Sequence, residues 1–62
     1  MVDHVAKAWR ILAPLGPEYL AEALNPRFVA CLKALMEQSD EEDIDARIEL
    51  FQREVRRRLT LH

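Results

Sequence analysis

The chain has 62 residues, 50% of them apolar and 32% charged, and its 9 Lys and Arg against 11 Asp and Glu leave a net charge of −2. This excludes a disordered composition and a bulk positive field that would draw the chain to nucleic acid or anionic lipid. The one cysteine, Cys31, excludes an internal disulfide, and the longest apolar run, Ile11 to Leu15 with Pro14 inside it, falls far short of the roughly 20 residues of a membrane span.

Prolines, the one glycine and Ser39 punctuate the chain into four segments. The first is predicted as a helix over 3–13. Val2, Val5, Trp9 and Leu12 recur at three, four and three residues, which is the period of one helix face. Asp3 suits the N-cap, where its carboxylate accepts free backbone N–H groups. Pro14 and Gly16 suit the stop. Pro17 then opens a short helix over 17–24 that buries Leu20 and Leu24. Two turns are marginal alone, so this piece depends on packing.

Asn25-Pro26 is a restart, with Asn as N-cap and Pro at the first helical position. The third helix is predicted over 26–38, with Phe28, Val29, Leu32, Leu35 and Met36 as its core-facing stripe. Ser39-Asp40-Glu41-Glu42 matches a capping box, so the fourth helix is predicted over 40–59, directly after the third. Its stripe is Ile44, Ile48, Phe51, Val55 and Leu59. Acidic residues crowd its start and arginines its end, which complements the helix dipole. Asp43–Arg47, Glu49–Arg53 and Glu54–Arg58 are i,i+4 pairs, acid first. No alternating apolar run suggests a strand. The expected fold is an all-α bundle forming one domain over 1–62. Two short N-terminal helices pack on an antiparallel helical hairpin with a long C-terminal helix.

A chain this short buries only about 60% of the surface it exposes when unfolded, and small scaffolds usually need a disulfide, a metal, unusually good helix packing or a partner subunit; here packing or association is left. Helix three would be roughly 20 Å long and helix four roughly 30 Å. The end of helix four therefore overhangs, carrying Val55, Leu59 and Leu61, to be covered either by the N-terminal helices or by a second molecule. These observations favour a non-enzymatic protein–protein interaction or regulatory module, an inhibitor for instance, that presents an amphipathic helical face. Its expected partner is a second copy, forming a homodimer, or another protein. Tyr19, Val55, Arg56, Leu59 and Leu61 are the expected interface residues. The runner-up is a nucleic-acid-binding regulator. There Arg53, Arg56 and Arg57 share a helix face that dimerisation would double. Glu49 and Glu54 neutralise part of that patch, and no aromatic stands nearby to stack a base.

Nothing patterned supports catalysis or metal binding, and no cofactor or small-molecule substrate is expected. Cys31 stands at the edge of the third stripe and reads as a small hydrophobe. His4 and His62 read as exposed residues near opposite ends, without zinc spacing. The acidic run from Glu37 to Asp45 lacks the glycine of a calcium loop, and Trp9 reads as core. Asp3 and His4 stand where a signal peptide would have a basic start, and a lone cysteine suits a reducing compartment, so the expected location is cytoplasmic. Leu24-Asn25-Pro26-Arg27-Phe28 ahead of a tight hairpin is loosely similar to small bacterial helical-hairpin inhibitors of sensor kinases. That likeness spans five residues and assigns no site.

Overall fold

Asp3 starts the fold: its side chain accepts the Ala6 N–H at 3.1 Å and caps helix α1 (His4–Leu12). A computed structural model describes residues 3–61, and among them the backbone is helical with no strand. Val2, read above as the first residue of the α1 stripe, and His62 lie outside the described residues. At Pro14 the chain tightens into a 3-10 turn (Ala13–Leu15). Gly16 then takes φ +100°, a conformation that a side chain disfavours and glycine adopts freely. Helix α2 (Pro17–Leu20) follows and is only four residues long.

The predicted helix over 17–24 therefore divides, because Ala21–Leu24 is a 3-10 turn. The reason lies downstream. Asn25 is extended, at φ −66° and ψ 128°, as a residue before proline prefers, and the segment tightens to reach it. The Asn25 side chain accepts the Arg27 N–H at 2.9 Å and caps helix α3 (Pro26–Gln38).

The largest departure from the sequence reading lies between α3 and the last helix. Ser39 does not open a capping box. It is the C-cap of α3, and its N–H donates to the Leu35 carbonyl. The Asp40 N–H donates to Glu37 and the Glu41 N–H to Met36, which is the hydrogen-bond pair of a Schellman stop. Asp40 takes the left-handed position of that stop at φ 55°. Asp43 is also left-handed, at φ 54°, and precedes helix α4 (Ile44–Thr60) without a side-chain cap bond. The fourth helix thus begins at Ile44 rather than Asp40, and residues 39–43 form a connection that the sequence reading gave almost no length.

The core is apolar throughout. Ala8 and Leu12 from α1, Leu20 and Ala23, Leu32 and Met36 from α3, and Ile48, Phe51 and Val55 from α4 are buried, with no polar or charged residue buried among the described residues. Trp9 meets Phe51 edge-on with ring centroids 5.2 Å apart, and Phe28 stacks on Phe51 at 6.5 Å. The segment from Pro17 to Leu24 packs across α4. This corrects the expected overhang: Val55 is 0% exposed, and Leu59 is half-buried against the core. The two short elements cover the part of α4 that α3 is too short to reach. Leu61 alone of the three stays open, at 72% exposure. No described helix is long and apolar enough to cross a membrane.

Candidate interaction surface

The α1 stripe turns Ala8 and Leu12 into the core, which leaves Ile11, one position off the stripe, facing outward. On α3, Leu32 and Met36 are buried while Leu35 faces outward. Ile11 is 55% exposed and Leu35 48%. Together they flank a groove of about 250 Å³ between α1 and α3, with Lys7, Phe28 and Cys31 along its walls and His4 at one end. No carboxylate lines it. Small Ala8 is among the buried residues that line it.

A polar chain fixes one end of this groove. His4 Nδ1 donates to Glu41 Oε2 at 2.6 Å, Arg47 donates to Glu41 Oε1 at 2.7 Å, and Arg47 donates to Asp3 Oδ1 at 2.6 Å. The Glu41 side chain is only 4% exposed. The hydrogen bonds from His4 and then Arg47 hold its carboxyl below the ordinary carboxylate range. Asp3 is also held low, first by the Ala6 N–H and then by Arg47. Glu41 in turn raises the Arg47 guanidinium. The chain ties the start of α1 and the connection after α3 to α4, so the start of α1 lies beside the end of α3. Arg47 thereby pairs with Glu41 and Asp3 in place of Asp43, its predicted i,i+4 partner. His4, read from sequence as an exposed residue without a partner, is half-buried in this chain. No sequence spacing pointed to a contact across 37 residues.

Cys31, read as a small hydrophobe at the stripe edge, is exposed on the groove wall. His4 lines the same groove, but it bonds Glu41 beyond the end of α3. Cys31 stands two turns before that end, roughly 10 Å away along the helix axis. The two do not form a nucleophile–base pair. Among the described residues no three His, Cys, Asp or Glu side chains converge to hold a metal ion.

The expected interface residues do not form one surface. Leu61 lines a second concavity together with Pro17, Leu20, Arg57 and Arg58. Tyr19 and Arg56 are exposed and line neither concavity. Val55 is inside the core. Two carboxylates, Glu49 and Glu54, pair three of the four arginines of the cluster, and Arg56 has no ion-pair partner among the described residues. Arg57 makes two bonds to Glu54, at 2.9 and 2.5 Å, and Arg58 a third at 3.3 Å, while Arg53 stands 3.7 Å from Glu49. These bonds, Arg57 first, hold the Glu54 carboxyl down to about 2. Arg58 also lies over the Trp9 ring, 4.7 Å from its centroid. Sequence reasoning places Leu35 in the core-facing stripe of α3 and reads no site at Ile11, which stands beside the α1 stripe; the assembled helices leave both exposed. Compared with protein-family models, curated proteins and solved structures, the chain matches none.

Proposed function

We propose that this chain is a non-enzymatic protein-interaction module, and that its binding surface is the α1–α3 groove rather than the end of α4. The observation that carries the reading is Ile11 and Leu35, two large apolar side chains half-exposed across an open apolar channel. A channel of this kind accepts side chains from the apolar stripe of a partner helix. The reading includes a regulatory or inhibitory role, exerted by occupying that helix, in a cytoplasmic setting. In it α3 and α4 form an antiparallel hairpin behind the groove. Contacts between Lys33 and Asp45 near the connection, and between Phe28 and Phe51 farther from it, support that arrangement.

The experiment is an NMR titration with a neutral helical peptide carrying a leucine stripe on a glutamine background. Amide and methyl shifts clustered at Ile11, Cys31 and Leu35 are expected, and Ile11→Asp with Leu35→Asp should abolish them. Shifts scattered over the whole surface, or none at all, would overturn the reading.

A further inference from the structure

The groove is apolar, but its surroundings are not electrically neutral. Lys7 lies on its α1 wall. On α3, Arg27 stands four residues before Cys31, so it shares the face that Cys31 presents to the groove. Neither cation has an ion-pair partner among the described residues. Lys33 is paired with Asp45 at 3.0 Å and Arg47 with Glu41 and Asp3, while Arg10 and Arg56, which do not line the groove, are likewise unpaired among the described residues. The carboxylates tied in at the groove end are already engaged: Glu41 by His4 and Arg47, and Asp3 by Arg47 and the Ala6 N–H. The start of α1 lies beside the end of α3, so Lys7 stands toward the end of α3 and Arg27 at its start. The two cations thus stand toward opposite ends of the groove.

We infer that the occupant of this groove is an amphipathic helix of another protein whose apolar stripe is flanked by two carboxylates, one toward each end of the groove, for Lys7 and for Arg27. The inference rests on the proposed interaction function and adds the chemistry of the partner. A single-headed amphiphile such as a fatty acid satisfies one cation and leaves the other bare. A second copy docked groove to groove brings the same cations together, and like charges oppose that pairing.

The test compares three peptides of about 16 residues, long enough to form helix on binding. They share the leucine stripe and differ only in flanking Glu, Gln or Lys. At low ionic strength the Glu peptide should bind about tenfold more tightly than the Gln peptide, as two surface ion pairs allow, and the Lys peptide more weakly than either. The differences should shrink in about 0.5 M salt. Lys7→Glu with Arg27→Glu, both at exposed positions, should reverse the order while leaving the circular dichroism unchanged. Equal binding of all three peptides at the groove would overturn the acidic partner and leave the interaction function standing. No binding by any peptide would overturn both. Light scattering that shows a dimer, with groove resonances shifting on dilution, would overturn the inference in favour of a second copy. Groove shifts with anionic phosphatidylserine vesicles and none with the Glu peptide would overturn it in favour of a lipid surface.

Discussion

Replacing Val55 with Ala removes two methyl groups from a side chain that is 0% exposed. At about 0.8 kcal/mol per buried carbon the transfer loss is about 1.6 kcal/mol. A residual cavity of roughly 50 Å³ would add about 1 kcal/mol if the surrounding helices do not close on it. The expected cost is therefore about 2–3 kcal/mol. A domain of this size is stable by only about 3–9 kcal/mol, so the effect should be large. In urea, with a slope of about 1 kcal/mol per molar, the unfolding midpoint followed by circular dichroism should fall by about 2 M. Leu50→Ala, on the exposed outer side of the same helix, should change stability by less than about 0.5 kcal/mol. The Val55 loss should be the same at micromolar and submillimolar protein, because Val55 is 0% exposed within one chain. A Val55→Ala midpoint no lower than that of Leu50→Ala would refute the packing argument. A loss that shrinks as protein concentration rises would place Val55 at an interface between copies and refute it equally.

Three further predictions follow from the connection and its contacts. Asp40→Gly should stabilise the fold by about 1 kcal/mol in the same urea assay, since glycine relieves the left-handed backbone and removes an anion from the negative end of α3; an unchanged or lower midpoint would count against it. The folded Glu41 carboxyl lies below its ordinary 4.5, so the stability it contributes is present above that value and is lost as pH falls through its lower folded pKa. Wild type should lose midpoint between pH 6 and pH 3 by more than Glu41→Gln does, and parallel losses would show that Glu41 is not coupled to folding. Asp3→Ala should cost about 1 kcal/mol through the lost N-cap, with hydrogen exchange accelerating first at Ala6; unchanged protection there would exclude the cap.

Much of the fold was legible in the sequence because helix formation is largely local. Asn25-Pro26 signals a cap and a first turn, and the structure places both there. The spacing of Leu32, Met36, Ile48 and Phe51 marks the residues that become the core. What periodicity does not encode is rotation by one position. Ile11 and Leu35 are as apolar as their neighbours, and only the assembled helices determine which faces outward. Ser39-Asp40-Glu41-Glu42 misled for a related reason. The four residues satisfy a helix start and a helix stop about equally well, and the stop is the form in which Glu41 meets His4, 37 residues away, and Arg47, six residues on. Val55 reads as stranded if helix lengths are compared in pairs. It becomes covered once the short segment from Pro17 to Leu24, too weak to stand alone, is laid across it.

The single Trp9 is held between the edge of Phe51 on one side and the Arg58 guanidinium on another. One indole is therefore in contact with both an apolar ring and a cation from the same helix. Its emission should be blue-shifted and shielded from iodide while α1 is seated on α4, and should redden when the two part. The molecule thus carries an intrinsic optical gauge for the docking of its first helix, readable at nanomolar concentrations without any label.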